Sequence, residues 1–128
     1  MTTQRQNEFS ATIGLFSGRP NPRLSIGGPA LEELTELLKA TIGREPIHPP
    51  PPATLGKYYG FILETPPEVA RRQSLPARLR VYAGVVTEVE DHRERHWRDT
   101  GGVERFLLRV AFEQGYGDVL QHVGVETP

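Results

Sequence analysis

The sequence predicts a single α+β domain: about four mainly antiparallel strands in the order β-β-α-β-β-α, with two helices on one face of the sheet. Three observations carry this expectation. Apolar residues alternate with period two over residues 9–16 and again over 78–90, the pattern of strands with one buried side. Two other stretches repeat apolar residues at helical spacing: Leu31, Leu34, Leu38 and Ile42, then Val103, Phe106, Leu107, Val110 and Ala111. The 12 prolines and 13 glycines in 128 residues commit much of the chain to loops, so the elements are few and the core modest. Neither helix can bury its stripe alone, and one sheet face accepts both; the opposite face is then expected to carry Arg80, Tyr82, Tyr59 and neighbours as an open docking surface.

The elements follow in order. Residues 1–8 are polar and read as a disordered lead-in to a domain spanning 9–115. Phe9, Ala11, Ile13 and Leu15 lie on one side of the first strand, with Ser10, Thr12 and Gly14 on the other. A corner at Ser17-Gly18-Arg19-Pro20-Asn21-Pro22 then reverses the chain. Its prolines restrict the unfolded state, so the turn costs less entropy to order. Leu24 and Ile26 resume the alternation, which makes a hairpin. Gly27-Gly28-Pro29 breaks the strand and opens the first helix, with Leu37 widening its stripe. Glu32 and Glu33 are assigned to its first turn, Lys39 to its last and Gly43 to its C′ position.

Residues 44–56 form a proline-rich connector containing Pro46 and the run Pro49-Pro50-Pro51-Pro52. Four consecutive prolines favour polyproline II, extended at about 3.1 Å per residue. The simpler reading is a stiff connector; the other is an exposed ligand for an aromatic groove. Residues 58–64 read as a strand ended by Thr65-Pro66-Pro67, and 68–77 as a polar loop or one helical turn. Residues 78–90 read as one long strand, in which Gly84 marks a bulge or a close backbone approach. Residues 91–99 show no apolar period and read as a solvated polar loop. The second helix starts near Thr100 or Gly101 and ends near Gly115. Residues 116–128 are a tail with Val119, Leu120 and Val123 as docking residues.

Composition excludes several classes. With 15 basic and 16 acidic side chains, the chain lacks the basic footprint of a general nucleic-acid binder, and a nucleic-acid partner is disfavoured. The absence of cysteine removes disulfides, thiolate metal ligands and a cysteine nucleophile. The polar start has no apolar signal region and no stretch is long enough to span a membrane, so cytoplasmic residence is expected.

The string Phe16-Ser17-Gly18-Arg19-Pro20-Asn21-Pro22 resembles a signature of small uncharacterised bacterial proteins. The likeness extends over about residues 9–114, through a leucine-rich helix, a proline-rich break, Tyr59-Gly60-Phe61-Ile62, Leu79-Arg80-Val81-Tyr82-Ala83-Gly84-Val85-Val86 and a closing helix. Where such proteins often carry tryptophan, this chain has Leu24. The resemblance implies a self-contained fold and no particular activity.

Three groups of residues carry candidate chemistry. At the corner, backbone N–H groups and the Arg19 fork, joined by Arg23, form a candidate anion site; the structural alternative pairs Arg19 with a glutamate such as Glu64. Asn21 has its own structural alternative, an Asx-type turn. The second group is Asp91, His92, Glu94 and His96. If this run were helical, the two histidines would share a face as the seed of a metal site, with Asp99, His122 or His48 as third ligand. It lacks the His-Glu-x-x-His string and any apolar flank, which favours a solvated loop. The third group interleaves Arg71, Arg72, Arg78, Arg80, Arg93, Arg95 and Arg98 with Tyr82 and Trp97, the vocabulary of single-strand binding. Glu88, Glu90, Asp91, Glu94 and Asp99 nearly cancel that charge, and the structural alternative for Trp97 is a cap on the core below the second helix.

No nucleophile and base stand out as catalytic residues. Ser17 lacks a Gly-x-Ser-x-Gly elbow, and Gly115-Tyr116-Gly117 follows a helix rather than opening one. The leading expectation is a non-enzymatic accessory or interaction domain without a cofactor. It would present Arg19, Asn21, Arg23, Arg80, Tyr82 and Trp97 to a protein or peptide partner. The alternatives are a small metal- or anion-dependent enzyme using His92, His96 and Asp99, and a weak binder of nucleotides or single strands. An unpaired strand edge leaves a homodimer open.

Overall fold

The structure, a computed structural model, describes residues 7–15, 21–52 and 57–125. The strands are β1 (Phe9–Leu15), β2 (Arg23–Ile26), β3 (Tyr58–Glu64), β4 (Arg78–Tyr82), β5 (Val85–Glu90) and β6 (Arg93–Arg98). The helices are α1 (Gly28–Lys39), α2 (Pro67–Gln73), α3 (Val103–Ala111) and α4 (Gly117–His122). The strands form one sheet in the order β2-β1-β3-β4-β5-β6, antiparallel at every pairing. The α+β class and the single antiparallel sheet match the expectation. The strand number does not: the sheet has six strands, not about four.

Two hidden hairpins account for the difference. Residues 78–90 are two strands, because Ala83 and Gly84 take φ of 54° and 78° and reverse the chain between Tyr82 and Val85. Left-handed backbone at both central positions is what a two-residue hairpin turn requires. Asp91 and His92 repeat the device with φ of 49° and 63°, so the expected polar loop at 91–99 is mostly β6. Gly84 therefore marks a turn rather than a bulge or close approach. The polar stretch after β3 contains α2, which opens on Pro67 at its first position and ends on Ser74 in left-handed conformation.

The core lies on one side of the sheet. Ile13, Phe61, Val81 and Val86 face one another across four strands, with Ala11, Leu63 and Leu79 in the next row. Leu24 and Ile26 extend this surface on β2, and Leu24 is fully buried. Leu34 and Leu38 of α1, Val69 of α2, five residues of α3 from Val103 to Ala111, and Leu120 of α4 close over it as one cluster. Burying each large aliphatic or aromatic side chain contributes about 1.5–3 kcal/mol. α1 begins at Gly28, so Glu32 and Glu33 fall beyond its first turn, and Glu33 reaches Arg109 of α3 at 3.3 Å. Asp99 caps α3 with both carboxylate oxygens, accepting from the Val103 N–H at 2.7 Å and the Glu104 N–H at 2.8 Å. Gly115, at φ 98°, turns the chain into α4, which occupies part of the stretch read as a tail. Among the described residues, no helix is long and apolar enough to cross a membrane.

Gly60 sets the alignment of β3. Its φ is 95°, and a Cβ there would lie 2.1 Å from the Val81 carbonyl oxygen. Only glycine lets β4 approach this closely, beside the register irregularity between β1 and β3.

Candidate functional site

The side of the sheet opposite the helices carries the candidate site. Strand alternation places Thr12, Ile62, Arg80, Tyr82, Thr87 and His96 there, because their neighbours Ile13, Phe61, Val81, Val86 and Trp97 face the other way. Tyr59 joins them by lying over Gly14: a Cβ on Gly14 would meet the Tyr59 ring at 2.5 Å. The Asn21 Nδ2 donates to the Tyr59 hydroxyl at 3.0 Å, and the Asn21 Oδ1 accepts from the Leu15 N–H at 3.2 Å. Asn21 thus fixes the end of β1 and one ring of this face together.

The proline-rich connector crosses the same face. It first pairs along the outer edge of β6: the Ile47 N–H donates to the His96 carbonyl at 3.1 Å and the Arg98 N–H to the Glu45 carbonyl at 2.7 Å. Pro46 bridges Trp97, and the Arg98 side chain meets the Glu45 carboxylate at 2.7 Å. Proline cannot donate to a ladder, so Pro49 ends this pairing. Residues 49–52 then form one wall of a groove of about 440 Å³. Its floor holds Tyr59, Ile62, Tyr82 and Thr87, and Arg80, Glu94 and His96 stand at its polar end. Val85 is buried yet lies outside the main core cluster, as expected for a residue covered from this second side.

The polar end is a chain of contacts. Arg80 meets the Glu94 carboxylate at 2.5 Å, and both side chains are about half exposed, 48% and 45%. The Glu94 carboxylate lies 3.9 Å from the His96 Nε2, and the His96 Nδ1 is 2.9 Å from the Thr87 hydroxyl. Threonine, histidine and glutamate are the ingredients of an activated nucleophile, but the geometry opposes that use. Thr87 is 1% exposed, and 3.9 Å is beyond hydrogen-bond range. The arrangement instead holds an imidazole and a guanidinium at the mouth of an apolar slot.

A part-buried network supports the floor at one end of the sheet. The Tyr58 hydroxyl donates to the Glu104 carboxylate at 2.5 Å, and that carboxylate also accepts from the Gly84 N–H at 3.0 Å. The Tyr58 ring meets Phe61 and Tyr82 edge-on, each at 6.0 Å between centroids. Burial pushes the Tyr58 phenol far above its ordinary range, and the Glu104 charge acts in the same direction. Tyr58 therefore stays protonated and braces Tyr82 from below.

The sequence candidates divide accordingly. Arg80 and Tyr82 come together in the groove, and Asn21 reaches it through Tyr59. Arg23 lies on the same side but out on β2, 4.0 Å from Glu64, with both side chains more than half exposed. Trp97 is on the helix side, opposite Val86, where its indole N–H donates to Glu88 at 2.5 Å; it does not share a surface with Arg80 and Tyr82. Arg19 and the rest of 16–20 lie outside the described residues. His92 and His96 are not paired on a helix: His92 is in the β5–β6 turn and His96 on β6, while Asp99 is engaged as the α3 cap. Among the described residues, no group of three or more His, Asp or Glu side chains is placed to hold a metal. In the basic stretch, Arg71, Arg80, Arg95 and Arg98 each lie against a glutamate.

Sequence reasoning passed over Tyr58, Ile62 and Thr87, and treated the prolines and the groove-lining tyrosines as separate features. Tyr59 was expected on this face, but its packing on Gly14 was not, although an isolated glycine inside a strand marks a close approach by another group. No protein-family model, curated protein or solved structure matches this chain.

Proposed function

We propose that this chain is a non-enzymatic interaction domain that takes a peptide segment of a protein partner into the groove between residues 49–52 and the tyrosine-bearing side of the sheet. The observation that carries this reading is the groove itself. A volume of about 440 Å³ has an apolar floor of Tyr59, Ile62 and Tyr82, a proline wall and an Arg80–Glu94 ion pair at one end. Clefts of this size, mostly apolar with a few placed polar groups, are typical ligand sites. Tyrosine and arginine supply much of the energy at interfaces, and a well-packed anchor is worth about 2 kcal/mol or more.

The test is selection of linear peptides from a displayed random library on the immobilised full chain, followed by titration of a selected peptide. Tyr82→Ala and Arg80→Ala should each weaken binding while leaving a cooperative unfolding transition. Arg80→Ala is the cleaner variant, because its side chain is half exposed and paired only at the surface. Peptides that bind both variants as tightly as the parent chain would sink the proposal.

A further inference from the structure

The geometry points to a defined occupant for this groove: a proline-rich segment in the polyproline II conformation, lying beside the chain's own residues 49–52. The inference rests on the reading of the groove as a peptide site and narrows it to one peptide class.

Three features on this face carry it. The first is hydrogen-bond chemistry. A run of prolines offers carbonyl acceptors and no N–H donors, so its receptor must supply donors beside flat apolar surface. The groove provides both. Tyr82 and Tyr59 are the flat surfaces, the half-exposed Arg80 guanidinium carries several donors, and the His96 Nε2 faces the same mouth. The second is charge. Arg80 and Glu94 neutralise each other at 2.5 Å, so the site presents no net charge to an occupant, which suits a segment with none.

The third feature is that the chain already places a run of four prolines here. After Ile47 leaves the edge of β6, four consecutive prolines run along the aromatic face and form one of its walls. Among the described residues, the groove of about 440 Å³ beside them presents Tyr82 and the Arg80 and His96 donors to a second proline-rich strand. A polyproline II strand is pre-extended, so docking it costs little ordering entropy.

The experiment titrates the ¹⁵N-labelled full chain with three probes: a ten-residue polyproline, a glycine–serine peptide of equal length, and a library-selected peptide from the preceding test. The expected result is saturable shifts with polyproline at the amides of Ile62, Arg80, Tyr82, Thr87 and His96. The glycine–serine control should cause none, and Tyr82→Ala and Arg80→Ala should each weaken polyproline binding at least tenfold. If the selected peptide shifts these amides and polyproline does not, the peptide reading survives and the polyproline assignment is overturned. If neither shifts them, both fall. Concentration-dependent shifts at the same amides without any peptide would assign the groove to a second copy of the chain and overturn the proposal equally.

Discussion

Gly14→Ala probes how the candidate site is built, because Gly14 is the bed on which Tyr59 lies. Gly14 sits inside β1 and is not among the positive-φ glycines, so its backbone accepts alanine. In open space the substitution would be neutral or stabilise the strand by about 0.5–1 kcal/mol. Here the new methyl would fall 2.5, 2.6 and 2.8 Å from three atoms of the Tyr59 ring, whereas ordinary contact begins near 3.4 Å. The ring must move by nearly an ångström, which strains the 3.0 Å bond from Asn21 to its hydroxyl. Overpacking of this kind costs about 1–3 kcal/mol, and a lost hydrogen bond about 1 kcal/mol more. The expected net loss is therefore roughly 1–3 kcal/mol in urea unfolding. A double-mutant cycle isolates the cause: in a Tyr59→Ala background the same Gly14→Ala change should cost nothing or stabilise. Equal destabilisation in both backgrounds, or unchanged Tyr59 ring resonances in the single variant, would refute the reasoning.

Three further outcomes follow from the same structure. Gly60→Ala places a methyl 2.1 Å from the Val81 carbonyl at a φ of 95°, and should cost more than about 3 kcal/mol or abolish cooperative unfolding; near-native stability by circular dichroism would contradict the β3–β4 approach. The raised Tyr58 pKa means that this phenol adds no pH dependence to stability below about 10, where it is protonated in both states, and lowers stability above that. The fall has a limiting slope of about 1.4 kcal/mol per pH unit, and Tyr58→Phe should remove that one-proton slope relative to the parent between pH 10 and 11.5. Asp99→Ala removes two bonds to the first N–H groups of α3 and should cost about 1–3 kcal/mol, with Asp99→Asn recovering only the part that one acceptor oxygen can supply, as read from urea midpoints.

What could be read from the residues alone follows from where the apolar pattern is one-sided. β2, α1 and α3 each bury one face and expose the other, and β1 alternates buried with half-buried residues from Phe9 to Ile13, so their periodicity was visible. β6 escaped because neither of its faces is apolar: Arg93, Arg95 and Trp97 alternate with Glu94, His96 and Arg98. The β4–β5 hairpin escaped because its turn begins on Ala83, a residue that seldom takes left-handed backbone. Alternation placed Arg80 and Tyr82 on the surface away from the helices. It could not show that residues 49–52 would lie over that surface, since their path is fixed by Glu45 and Ile47 on β6, about fifty residues further along the chain. The side taken by Trp97 was undefined for the same reason: without β6 as a strand, its phase relative to Tyr82 could not be read.

The measurement that bears most directly on this account is a solution nuclear Overhauser spectrum of the unliganded chain, read at the proline ring protons of residues 49–52. Cross-peaks from the half-buried Pro50 to the rings of Tyr59, Tyr82 or His96 are the expected result. Proline resonances with no partner on that side of the sheet would mean the wall, and with it the groove, does not exist.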